Sequence, residues 1–341
     1  MSPPRAAIFG CAGVALAPGE RAFFAGADPL GFILFQRNCV DPAQVRRLVA
    51  ELRASVGRLD APVLIDQEGG RVARLRPPHW RLYPSASRVA ALGAEAPAAA
   101  RVVARLIADD LCALGITVDC LPVLDLPVPG ADSVIGDRAY GTDAATVALI
   151  GHAACEGLLA GGVLPVLKHI PGHGRGNVDS HLACPLVSTA IHELEITDFA
   201  PFRALNGMPW AMTAHIVYDA VDPAQPATLS AKVIAEVIRG EIGFDGVLVS
   251  DDLSMQALGG SLGERAARAL EAGCDVVLHC NGRLDEMREV AAAAAPLGDI
   301  AVRRIADGEA RRRWHNEVID RAALEARLAA WFGPMDDGPR R

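Results

Sequence analysis

The chain has 341 residues, a formal net charge of −8, and is 51% hydrophobic and 22% charged. Acid in excess of base argues against a nucleic-acid partner, whose phosphates call for a concentrated basic surface, and no apolar run approaches the roughly 18 residues a membrane helix needs. Length alone admits two ordinary domains or one large α/β barrel.

Short β-type runs alternate with longer amphipathic segments, the pattern of parallel strands joined by helical crossovers. The first strand is predicted at Ala7–Cys11. The run Ala6–Ala17 that contains it is the one candidate export signal, but Gly10, Gly13 and the following Glu20 and Arg21 fit a strand and turn better, so a cytoplasmic location is expected. Strand Gly31–Phe35 and helix Pro42–Val56, capped by Asp41, come next, then strand Val63–Asp66 and helix Ala98–Leu114. Strand Ile116–Leu124, helix Ala144–Leu159, strand Leu164–His169 and helix Ile191–Leu205 follow. The series closes with strand Ala211–Ile216, helix Ser230–Ile242, strand Val247–Asp251, helix Glu264–Ala272, strand Val276–His279 and helix Leu284–Ala295. Eight strand–helix units without a Ser/Gly linker favour a single (β/α)8 barrel of the TIM type over about residues 6–298, with a doubly wound open sheet as the alternative. Residues 299–341 read as a C-terminal helical extension of the same domain, Ile300 to Leu328 giving one or two helices and Arg311-Arg312-Arg313 one solvated helix end. The cysteines Cys11, Cys39, Cys112, Cys120, Cys155, Cys184, Cys274 and Cys280 are scattered without C-x-x-C spacing, which predicts buried reduced thiols rather than disulfides or a zinc site.

Buried parallel strands should be continuously aliphatic, so polarity at their ends is informative. Strand three finishes in Asp66-Gln67-Glu68-Gly69-Gly70-Arg71, strand five in Lys168-His169, strand six in Thr213-Ala214-His215 and strand seven in Ser250-Asp251-Asp252. The C-terminal strand ends of a barrel converge on one mouth, and the clustering predicts an active site there. Between Lys168 and His181 three histidines, a lysine and Asp179 alternate with Gly172, Gly174 and Gly176, which suggests a loop able to fold over a ligand as a mobile lid.

Lys168 through Gly174 (K-H-I-P-G-H-G), Asp179-Ser180-His181, Asp66 through Arg74 (D-Q-E-G-G-R-V-A-R) and Ser250 through Met255 (S-D-D-L-S-M) resemble motifs of the family 3 β-N-acetylhexosaminidases. The likeness is collinear from the first strand, through Gly31–Asn38, to about residue 280. Departures from the pattern are minor, Ile170 standing where phenylalanine is common. The resemblance implies a retaining glycosidase with Asp251 as nucleophile, His181 as acid/base and Asp179 as its orienting partner. It carries sugar binding to Asp66, Arg74, Arg138, Lys168 and His169. His215 either lines the pocket or is a satisfied barrel histidine. Strand alternation would send Asp252 to the opposite face, where it would cap the next helix.

No cofactor or metal is expected. A metal-dependent barrel hydrolase is the first rival, because Lys168, His169, His181, His215 and an aspartate could ligate zinc, but Phe9-Gly10-Cys11 stands where an H-x-H pair is usual. A sugar-binding protein without activity is the second, and the presence of both nucleophile and acid/base argues against it. The resemblance implies a soluble muropeptide or amino-sugar substrate, with N-acetylglucosamine released from N-acetylglucosaminyl-anhydromuramoyl peptides during peptidoglycan recycling. Scarce aromatics, at 5%, also favour a small saccharide over a long polymer. Composition does not separate this from a β-glucosidase of different 2-position specificity, nor does it report an oligomeric state.

Overall fold

The computed structural model describes residues 3–180, 182–314 and 317–333. Eight strands close a parallel barrel: β1 (Arg5–Gly10), β2 (Pro29–Leu34), β3 (Val63–Ile65), β4 (Val118–Asp119), β5 (Leu164–Ile170), β6 (Trp210–Thr213), β7 (Val247–Asp252) and β8 (Val276–His279). Each pairs with its chain neighbour, and β1 closes on β8 with Ala7 opposite Val277. The open-sheet alternative is thereby excluded. Strand residues such as Ile8, Phe32, Leu64, Val166 and Leu248 are fully buried because both faces are covered, one by the barrel interior and one by helices.

The crossovers are α1 (Pro18–Ala27), α2 (Pro42–Ser55), α3 (Ala96–Cys112), α4 (Ala144–Ala160), the short pair α5 (Ile191–Ile196) and α6 (Ala200–Ala204), a π-type helix at Val233–Glu241, then α7 (Leu262–Ala272) and α8 (Leu284–Ala293). Helices α9 (Asp299–Trp314) and α10 (Arg321–Phe332) form the C-terminal extension. No helix among the described residues is long and apolar enough to cross a membrane.

Five expectations are corrected. Helix α1 has no counterpart among the predicted elements; Pro18 opens it, and the Glu20 carboxylate accepts the N–H groups of Ala12 (2.8 Å) and Ala17 (3.0 Å). Strand four is two residues rather than nine, because Pro122 has no N–H for the ladder and the chain rejoins the sheet only at a bridge between Val123 and Lys168. The predicted helix Ile191–Leu205 is broken where Asp198 turns in to Arg175 at 2.6 Å and Pro201 restarts the coil. Arg311 and Arg312 are not a purely solvated end: they donate to the carbonyls of Gly207 (2.6 Å) and Gly162 (3.1 Å), clipping α9 across the barrel floor. All eight cysteines are free, with Cys112 and Cys184 exposed rather than buried.

Candidate active site

The strand ends open into a cavity of about 290 Å³ whose wall includes Asp66, Glu68, Arg74, Arg138, Lys168, His169, Asp179 and Asp251. Asp66 follows β3 directly. A two-stranded hairpin, Gln67–Gly69 with Val72–Ala73, then brings Arg74 back over it. Buried Gln67 ties this hairpin by accepting the N–H groups of Arg74 (2.8 Å) and Leu75 (3.0 Å).

These residues form an alternating chain of charge. Arg138 makes a forked pair with Glu68 (2.9 Å to each oxygen), Glu68 meets Lys168 Nζ at 2.6 Å, Lys168 meets Asp66 at 3.0 Å, and Asp66 meets Arg74 at 3.0 Å. Burial alone would drive Asp66 and Glu68 toward neutrality, but Lys168 with Arg74, and Lys168 with Arg138, outweigh it and hold both carboxyls below their usual range. Lys168 is correspondingly raised against its own burial by Asp66 and Glu68. Beneath the chain Asp119 has one oxygen on the Gln67 N–H and the other unpartnered, and burial pushes its carboxyl up. Arg74 also lies over the Phe35 ring, 5.2 Å from its centre.

Across the cavity, β7 delivers Asp251. Burial opposes its ionisation, yet His169, His215, the Asp252 N–H (2.7 Å) and Lys168 together depress its carboxyl below the ordinary value. Asp252 lines the same cavity instead of facing away, because the register of β7 against β8 shifts between Val249 and Asp252 and breaks the simple alternation. Its oxygens are spent on Ser254 and the Cys280 N–H, a structural task. His215 is fully buried and stays out of the lining, its nitrogens engaged by Thr228 Oγ1 (2.7 Å) and the Asp252 carbonyl (3.0 Å), and burial lowers its basicity.

The loop after β5 is tied down rather than free. Arg175 bonds Asp198 (2.6 Å) and Glu193 (2.9 Å), the Ser180 carbonyl accepts from Ala257 (3.2 Å), and Gly174 lies so close to Leu126 that a Cβ would sit 1.9 Å from its carbonyl oxygen. The glycines therefore serve close packing at this end of the loop. Asp179 lines the cavity, while His181 lies outside the described residues. Two further acids belong to the site beyond those to which the sequence assigns a role: Glu68, which holds two cations, and Asp125, which bonds His169 Nδ1 at 2.7 Å. Asp125 stands one residue beyond the predicted fourth strand, where the strand-end rule could have found it.

Residues 27–312 match the family described as glycosyl hydrolase family 3 N terminal domain. The chain is 42% identical to a beta-hexosaminidase of Alkalilimnicola ehrlichii over 282 residues, 80% of each chain, and 42% identical to one of Pseudomonas aeruginosa over 256 residues, 74% of this chain and 75% of that one. Among solved structures it is similar to NagZ from Neisseria gonorrhoeae in complex with N-trifluoroacetyl-D-glucosamine, with TM-score 0.85, 32% identity, and 97% of this chain and 98% of that one covered. A family 3 β-N-acetylglucosaminidase from Paenibacillus gives TM-score 0.86 at 33% identity, covering 96% of this chain and 67% of that one.

Proposed function

The chain belongs to glycosyl hydrolase family 3, and on that premise we propose that it is a retaining β-N-acetylglucosaminidase acting through Asp251 and the Asp179/His181 pair. That it is a glycoside hydrolase of the β-N-acetylhexosaminidase kind follows from the family and its relatives. The finer reading rests above all on one observation: an ionised Asp251 shares a cavity with Asp179 and with the Arg138–Glu68–Lys168–Asp66–Arg74 chain.

In the first step the Asp251 carboxylate attacks the anomeric carbon while the bond to the leaving oxygen breaks, and that oxygen takes the proton of cationic His181. In the second, His181 removes a proton from water, the water oxygen attacks the same carbon, and Asp251 leaves as carboxylate. Asp179 orients the imidazole. Sugar hydroxyls are held by Lys168, Arg74, Arg138, Asp66 and His169. The substrate is a soluble fragment with a terminal N-acetylglucosamine, N-acetylglucosaminyl-anhydromuramoyl peptides being the preferred case, met in the cytoplasm.

A 2-fluoro sugar that stalls the second step should leave an ester on Asp251 in peptide mass mapping, and Asp251→Ala should lower kcat on the order of 10⁴-fold or more. A label on Asp252 instead would overturn the nucleophile. On nitrophenyl glycosides that differ at the 2-position the acetamido sugar should be preferred, and preference for the plain glucoside would overturn the specificity.

A further inference from the structure

Asp125, fully buried just after Leu124, gathers three N–H groups. Its Oδ1 accepts the backbone N–H of His169 (3.1 Å) and of His173 (2.6 Å), and its Oδ2 faces His169 Nδ1 at 2.7 Å. Burial pushes this carboxyl upward, but His169 and the His173 N–H outweigh it and hold it at about 2. An ionised carboxylate can only accept, so Nδ1 must carry the hydrogen, and in the neutral ring Nε2 is left with a bare lone pair. Ring geometry puts Nε2 on the side away from Asp125, and His169 lines the cavity.

The wall beside it is rich in donors: Lys168, Arg74 and Arg138 only donate, and each oxygen of Asp66 already takes one of these cations, keeping one lone pair for a hydroxyl. A sugar hydroxyl donates one hydrogen bond as well as accepting, so Nε2 adds an acceptor where cations crowd the wall. The clamp also extends along the chain. His173, fixed through its N–H, meets Ser180 Oγ at 3.2 Å through Nε2, and Ser180 adjoins Asp179.

Resting on the reading of this cavity as a sugar site, we infer that Asp125 is a positioning residue with two tasks. It fixes the tautomer in which His169 accepts a hydrogen bond from a sugar hydroxyl, and it anchors the segment that carries Asp179.

Asp125→Asn separates the tasks. Its amide oxygen keeps both backbone N–H groups, while its NH₂ faces His169 and demands the opposite tautomer. With ¹⁵N-histidine labelling and His169→Gln to identify the resonance, the unliganded wild type should carry hydrogen on Nδ1 and Asp125→Asn on Nε2. KM for the nitrophenyl N-acetylglucosaminide should rise roughly ten- to a hundredfold in Asp125→Asn, with kcat changed much less. Asp125→Ala, which also frees the His173 N–H, should lose kcat as well. A wild-type ring that carries hydrogen on both nitrogens at the assay pH, an unchanged His169 tautomer or an unchanged KM in Asp125→Asn overturns the first task, and a kcat in folded Asp125→Ala equal to that of Asp125→Asn overturns the second. Should Asp125→Ala not fold, His173→Ala, which keeps its backbone N–H on Asp125 but cuts the ring's contact with Ser180, tests the far end of the anchor, and an unchanged kcat overturns the second task. The tautomer is read without substrate, so a wild type inert toward every aminosugar glycoside would sink the enzymatic reading while the spectra still judged Asp125.

Discussion

His173 is 4% exposed, and burial, reinforced by neighbouring His169, lowers its pKa from 6.5 to about 4 in spite of Asp125 and Asp251. Between those two values the unfolded chain binds a proton that the folded chain refuses, so stability is full above about pH 6.5 and is lost as pH falls toward 4. His173→Gln removes this component. The fall in urea-derived stability from pH 7 to pH 5 should be about 2 kcal/mol smaller in the variant than in the wild type, and equal falls would show that His173 is not the group responsible. At this scale the sequence is most readable where one polar residue ends an aliphatic run, as Asp251 ends Val247–Ser250 and Lys168-His169 end Leu164–Leu167. Asp125 and Glu68 also stand at strand ends, but what each one holds, His169 and Lys168, lies 44 and 100 residues away, and local pattern carries no trace of those pairings.

The loop from Pro171 to Ser180 behaves as a packed element. At Gly174 an added methyl would strike the Leu126 backbone, and at Gly172, with φ +143°, it would lie 2.9 Å from Asp198 Cβ. Gly174→Ala should cost about 2 kcal/mol or more and depress turnover by displacing Asp179. Gly207→Ala, where a Cβ meets nothing within 4 Å, should stay within about 0.5 kcal/mol by chemical denaturation. Parity between the two would mean that the loop yields readily. All eight barrel strands were legible from their β-branched and aliphatic runs, whereas the glycine spacing, read as a lid, marks at Gly172 and Gly174 places where backbone from elsewhere comes close. The break between α5 and α6 was written in Asp198 and Pro201, but a helical hydrophobic period ran across both and masked it.

Over the whole molecule, chemistry and framework occupy opposite ends of the barrel. On the floor Arg304 joins Asp275 (2.9 Å) and Asp245, Asp275 also receives Arg239 at 2.9 Å, and Arg311 and Arg312 clip α9 to the carbonyls before β6 and β5. Arg304→Gln leaves Asp275, 7% exposed, short of one cation, and the melting temperature should fall by several degrees while KM moves less than twofold. A matching change in KM would reveal coupling between floor and mouth. The alternating chain at that mouth joins Asp66 just beyond β3, Glu68 in the hairpin, Arg74 just after it, Arg138 from the loop after β4 and Lys168 from β5. Losing either carboxylate takes the partner from an arginine, Arg138 without Glu68 or Arg74 without Asp66, whereas losing Lys168 still leaves two matched pairs. The two acids are thus the keystones of the rim, each tolerating replacement only if the arginine leaning on it is replaced as well.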